Sequence, residues 1–112
     1  MEILNFNFYG EKQIRNHAHA GVVGSGNLEV LLEPSGSGMA EVTVTTSLDG
    51  NEEIWRCVLE RFFQENPVSA RFEINDFGAT PGVVQLRLMQ VLELAEEADE
   101  SEEKGEKKHE SK

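Results

Sequence analysis

Two short runs place a hydroxyl between residues without side chains: Gly24-Ser25-Gly26 and Gly36-Ser37-Gly38. A serine so flanked, at the tip of a turn, is open to an enzyme that would esterify it and tolerates the backbone such a reaction imposes. The same triplet is what an ordinary turn contains. Local physics does not choose between Ser25 and Ser37. Gly21-Val22-Val23-Gly24-Ser25-Gly26 resembles a Gly-rich phosphate cradle in letters, but a dinucleotide fingerprint opens a helix and a strand-like run follows here. Asp76-Phe77-Gly78 matches a kinase tripeptide without the rest of that signature; it reads as a connector in which Gly78 takes a positive φ and Thr80-Pro81 starts a helix, whose free N–H groups could also contact an anion. His17 and His19 share a strand face but have no third ligand nearby, so surface histidines are expected and no metal site. Cys57 is expected as a small buried hydrophobe on a helix. No triad or acid/base pair is present, so no catalytic residue is assigned.

The chain that must position these groups has 112 residues, 21 acids against 10 Lys or Arg, and a net charge of −11. At roughly 100–200 residues per domain this is one domain, with one modest core and no room for a large enzyme fold. Nucleic acid is repelled by this charge, and basic protein surfaces are attracted. The single cysteine excludes an internal disulfide and favours a reducing compartment. Met1-Glu2-Ile3-Leu4-Asn5 is no signal sequence, and no apolar run is long enough to span a membrane, so a cytoplasmic protein is expected.

Charge divides the chain into a body at 1–95 and a tail at 96–112. Residues 93–112 hold nine acids and four lysines without an aromatic. The tail lacks the apolar surface that would offset its ordering entropy and is expected to be disordered. In the body, Leu4, Phe6 and Phe8 alternate with polar neighbours as in a half-buried strand, a second strand covers about His17 to Val23, and a third resumes at Leu28. Ser25 then sits at the tip of a hairpin. Ala40, Val42, Val44 and Thr46 mark a fourth strand. The period next becomes helical, with Ile54, Trp55, Val58, Leu59, Phe62 and Phe63 on one face and Asp49 or Asn51 as cap. Arg71–Ile74 is a fifth strand, and a second helix from Thr80-Pro81 carries Val84, Leu88, Val91, Leu92 and Ala95 along one stripe. This predicts an α+β fold: a four-stranded antiparallel meander followed by α-β-α, with one mixed sheet and two helices packed on one face. If the fourth and fifth strands are parallel neighbours, their crossover is right-handed.

Two long blocks carry a family resemblance. Val22-Val23-Gly24-Ser25-Gly26-Asn27-Leu28-Glu29-Val30-Leu31-Leu32-Glu33-Pro34 and Asp76-Phe77-Gly78-Ala79-Thr80-Pro81-Gly82-Val83-Val84-Gln85-Leu86-Arg87-Leu88 are similar to the acyl carrier (delta) subunit of biotin-independent malonate decarboxylase, over roughly residues 2–94. The resemblance implies that Ser25 carries 2′-(5″-phosphoribosyl)-3′-dephospho-CoA through a phosphodiester, with Gly24, Gly26 and Asn27 supporting the turn. It implies a non-catalytic carrier whose thiol arm holds acetyl and malonyl thioesters while malonate becomes acetate and CO₂. The implied partners are acyl-transferase and decarboxylase subunits and the transferase that installs the prosthetic group. The gamma subunit of citrate lyase, with the same group on a serine in a Gly-containing turn, is the nearest rival carrier, and the Asp76–Leu88 block favours malonate decarboxylase. Ordinary acyl carrier proteins are helical bundles with an Asp-Ser-Leu motif that this chain lacks. Outside the carrier class stands an acidic interaction module without a cofactor, in which Ser25→Ala would be silent.

Overall fold

The computed structural model describes residues 1–110, with side chains through residue 103. Strands β1 (Glu2–Tyr9), β2 (Lys12–Gln13), β3 (Ala18–Gly21), β4 (Leu28–Pro34) and β5 (Met39–Thr46) come first, followed by helix α1 (Glu52–Glu65), strand β6 (Val68–Asp76) and helix α2 (Pro81–Glu110). The mixed sheet has the order β1-β5-β6-β4-β3. The early strands pair antiparallel, β1 with β5 and β3 with β4. The late strand β6 enters between β4 and β5, antiparallel to the first and parallel to the second. The parallel pairing that the sequence leaves conditional is thus present between β5 and β6, while β4 and β5 do not touch directly as strands. β2, a two-residue parallel pair with Val68 and Ser69, has no periodic signal in the sequence.

Register lines the inner face. Leu4, Val44, Ile74, Val30 and Ala20 form one row across five strands, and all are buried. One residue along each strand, Asn5, Thr43, Glu73, Leu31 and His19 form the facing row on the open side. Side chains alternate with period two, so one sheet face is core and the other is mostly polar.

Both helices cover the inner face. Trp55, Leu59, Phe62 and Phe63 of α1 are buried, and Phe63 stacks on Phe8 at 5.2 Å and meets Phe72 edge-on at 5.0 Å. Ile54, expected on this face, is 54% exposed, because it precedes Trp55 by about 100° of helical turn and falls on the rim. Cys57 is exposed, not buried: it lies about 200° around the helix from both Trp55 and Leu59. Asn51 caps α1 through its backbone, its carbonyl accepting from Trp55 N–H at 3.0 Å, with no bond from its side chain. Glu52 and Glu53 in the first turn suit the positive end of the helix dipole.

The α2 stripe expected from sequence is the buried one: Val84, Leu88, Val91, Leu92 and Ala95. Beyond it the helix continues past the point where the sequence predicts a disordered tail. Glu96 accepts from Lys12 Nζ at 2.8 Å, Asp99 from the backbone N–H of Arg15 at 3.2 Å, and Glu102 from Asn16 Nδ2 at 2.7 Å. These polar contacts hold the helix where apolar burial has ended. The last residues of the expected tail, 111 and 112, lie outside the described residues.

Candidate functional site

The β3–β4 loop holds Ser25 at its exposed tip, with Gly24 and Asn27 half-buried beside it. Asn27 N–H donates to Gly24 O at 3.1 Å, closing a four-residue turn with Ser25 second and Gly26 third. Gly26 has φ +75°, the value a type II turn asks of its third residue. A side chain there would be strained in backbone terms, yet a Cβ on Gly24 or Gly26 would meet nothing within 4 Å. Asn27 does not take a positive φ. Its Oδ1 instead accepts from Leu28 N–H at 2.8 Å, so the side chain braces the loop backbone.

Two backbone bonds fix the turn in space. Gly26 N–H donates to Phe77 O at 2.8 Å, and Phe77 N–H donates to Asn27 O at 2.9 Å. The two sequence blocks, some fifty residues apart, therefore meet at the Ser25 turn. Phe77 is in turn held by its neighbours. Asp76 is buried, its carboxylate accepting from Thr46 Oγ1 at 2.9 Å and from Ala79 N–H at 2.9 Å. That makes Asp76 the acid of the β6–α2 turn, not a surface contact. Gly78 has φ +93° as expected, and Thr80 caps α2, its Oγ1 accepting from Val83 N–H at 3.3 Å. The docking on Phe77 and the use of Asp76 were invisible in the sequence, because a long-range backbone pair leaves no pattern in side-chain types. The one signal was that both segments belong to the similarity.

Ser25 makes no side-chain hydrogen bond among the described residues, so its Oγ is available. Beneath its loop on the open sheet face, Glu29 accepts from Asn75 Nδ2 at 2.8 Å and pairs with His19 Nε2 at 3.1 Å. Hydrogen bonds from His19 first and Asn75 second hold the Glu29 carboxyl below its ordinary value. On the core side of the Asp76–Ala79 turn, a cleft of about 140 Å³ opens between the first turns of the two helices, lined by Leu48, Ile54, Trp55 and Val84 among others. Among the described residues no three or more His, Cys, Asp or Glu side chains cluster so as to hold a metal ion. No helix among them is long and apolar enough to cross a membrane.

The chain is similar in sequence and fold to known proteins. A family model described as malonate decarboxylase delta subunit (MdcD) matches residues 15–95. The malonate decarboxylase acyl carrier protein of Stutzerimonas stutzeri (strain A1501) is 51% identical over 94 residues, covering 83% of this chain and 95% of that protein. The protein of the same name from Azotobacter vinelandii is 50% identical over the same shares. A chain in the crystal structure of a Pseudomonas malonate decarboxylase hetero-tetramer in complex with malonate superposes with a TM-score of 0.81 at 46% identity, covering 85% of this chain and 99% of that one. With the Ser25 turn and its Phe77 support both inside the matched region, the chain belongs to the malonate decarboxylase delta subunit family.

Proposed function

We propose that this chain serves malonate decarboxylase by carrying acyl groups on 2′-(5″-phosphoribosyl)-3′-dephospho-CoA, joined to Ser25 Oγ by a phosphodiester. The observation that carries the reading is the hydroxyl itself: exposed, without a hydrogen bond among the described residues, and presented by a turn whose backbone is pinned to Phe77. The residues fit such a group. Open space on both sides of Ser25 admits a bulky phosphodiester and the enzyme that installs it. When bound, the group supplies a thiol that holds acetyl or malonyl as a thioester, whose carbonyl can accept the electron pair left by departing CO₂.

What the chain contributes is placement. Gly26 and Asn27 fasten the root of the arm to the β6–α2 turn, and Asp76 keeps that turn closed. A fixed root with a mobile arm raises the local concentration of the acyl group at each partner site without offering any reacting side chain. In this reading the carrier is not catalytic. Its partners are the decarboxylase and acyl-transferase subunits and the prosthetic-group transferase, a reading supported by the hetero-tetramer that its structural relative belongs to. The carrier domain is residues 1–95, the helical segment from 96 onward is an appendage to it, and the location is cytoplasmic, in keeping with a lone, exposed Cys57.

Intact mass and peptide mapping of protein from cells that make the prosthetic group provide the test. The added mass of phosphoribosyl-dephospho-CoA is expected on the peptide holding Ser25, and Ser25→Ala is expected to remove both that mass and malonate turnover in the reconstituted complex. An unmodified Ser25 in protein from an active, malonate-grown cell defeats the reading and promotes the cofactor-free docking module.

A further inference from the structure

We propose that the cleft between the first turns of α1 and α2 is a docking site for the acetyl thioester at the end of the arm, and that it turns the malonyl thioester away. This rests on Ser25 being the attachment residue. The first observation is where the cleft opens. Leu28, Asp76 and Thr46 are register partners, so the start of β4 and the ends of β6 and β5 lie side by side, two strand spacings or about 10 Å across. Ser25 stands shortly before Leu28, and Leu48, shortly after Thr46, lines the cleft. One turn serves both. Gly26 N–H bonds Phe77 O at 2.8 Å, and Gly26 N lies 4.0 Å from where a Cβ on Gly78 would stand, while Asp76 and Ala79 of the same turn line the cleft. An arm whose pantetheine alone is as long as four extended residues, about 14 Å, covers that interval.

The second observation is size and lining. Leu48 and Ile54 are 49% and 54% exposed, large apolar side chains that the core does not claim, and with Trp55, Val58 and Val84 they wall the cleft. Covering their free surface is favourable. An apolar cavity of about 150 Å³ takes up benzene. This cleft, at about 140 Å³, has room for the smaller methyl, carbonyl and sulfur of an acetyl thioester. Asn51 lines it as well, and its side chain does not cap α1, which leaves its amide to donate to the thioester carbonyl oxygen.

The third observation is charge. Asp76 brings a buried carboxylate to the lining, engaged by Thr46 Oγ1 and Ala79 N–H, and no Lys, Arg or His among the described residues lines the cleft. The positive ends of the helix dipoles are already met, that of α1 by Glu52 and Glu53 and the approach to α2 by Asp76. A malonyl group would bring a second carboxylate among apolar walls and beside Asp76, with no cation to pair it. Desolvation and like-charge repulsion both oppose that. Acetyl is neutral and meets neither penalty. The cleft therefore shelters the acyl group that has already lost CO₂ and leaves the malonyl group in solvent, where a decarboxylase subunit can take it.

The experiment loads the full chain with an isotope-labelled acetyl or malonyl thioester on the arm, with loading verified by intact mass. In the acetyl form, NOE contacts from the acetyl methyl to the Trp55 ring and the Val84 methyls are expected. Hydroxylamine should cleave that thioester about fivefold more slowly than it cleaves acetyl-CoA, as for an arm docked about four-fifths of the time. The malonyl form should show no such contacts and react at the rate of malonyl-CoA. Ile54→Asp, a change at an exposed rim position, should remove the acetyl protection. Protection kept in folded Ile54→Asp overturns the cleft as its source. Should that variant fail to fold, the wild-type contacts decide: their absence in a chain that carries the arm overturns the assignment and leaves Ser25 as the carrier site. Equal protection of malonyl overturns the charge selection, and protection that rises with protein concentration gives the cleft to a second copy's arm and overturns the docking within one chain. Wild-type protein that gains no mass at Ser25 overturns both readings.

Discussion

The chain holds two Gly-Ser-Gly turns at opposite ends of β4, about 23 Å apart along seven residues of strand, and they use the same letters differently. In the β4–β5 turn, Ser37 Oγ accepts from Met39 N–H at 3.3 Å and from Ser35 Oγ at 3.1 Å, so the hydroxyl builds its own turn. In the β3–β4 turn the backbone does that work, through Gly24, Gly26, Asn27 and the distant Phe77, and Ser25 Oγ is left out. Both glycines at the third position have φ +75° and room for a Cβ. What separates a serine with a free hydroxyl from a structural one is therefore who holds the turn, a property absent from the triplet itself.

The contrast can be broken most directly at the hydroxyls. Ser25→Ala is expected to abolish prosthetic-group loading, and Ser37→Ala to leave it intact, as read by intact mass. Loading that survives Ser25→Ala and vanishes with Ser37→Ala would reverse the comparison. Next in size is Gly21→Ala, where the new Cβ would strike Leu28 O in a backbone already at φ +91°. A loss of about 3 kcal/mol in denaturant unfolding is expected. Gly26→Ala and Gly38→Ala sharpen the contrast because their strain is matched. Each should cost about 1 kcal/mol, yet under the proposed function only Gly26→Ala should slow loading, since there the Ser25 turn is the one that presents the hydroxyl.

The smallest effect depends on pH. Glu29, whose carboxyl is held low by His19 and Asn75, contributes stability that is fully present above its ordinary value of 4.5 and is lost as pH falls through its lowered folded value. The pair is partly exposed, so about 0.5 kcal/mol is expected. Denaturant midpoints of the wild type and Glu29→Gln should differ by a constant amount above about pH 5 and converge in acid. Amide exchange should register the change at the Ser25 turn and not at Ser37. An unchanged gap down to the lowest pH at which both fold would show that the Glu29 pair contributes nothing.

Much of this was legible because period two and period 3.6 report burial directly. The row through Leu4, Val44, Ile74 and Val30, and the α2 stripe from Val84 to Ala95, follow from residue type alone. Strand order did not follow, since alternation says which face a residue takes and nothing about which strand lies alongside. Hence β6 between β4 and β5 was unreadable, as was the two-residue β2. Exposure of Cys57 was misjudged by placing it beside an apolar face when helical angle puts it behind that face. The helix beyond residue 95 escaped because its anchors, Glu96, Asp99 and Glu102, act through hydrogen bonds to residues 12–16 and carry no apolar pattern. At the site, Ser25 was singled out by family similarity. Its free hydroxyl and its Phe77 support are contributions of the three-dimensional structure.

The central position of β6 has a consequence for synthesis. A ribosome that has delivered β5 must add 30 further residues before Asp76 exists, roughly 2–6 s at common elongation rates. Throughout that interval β4 and β5 each keep an unpaired edge facing the gap that β6 will fill. Open edges invite pairing with other chains, so the nascent carrier depends on a chaperone or on speed. A product truncated before residue 68 would be an aggregation seed rather than a half-built domain.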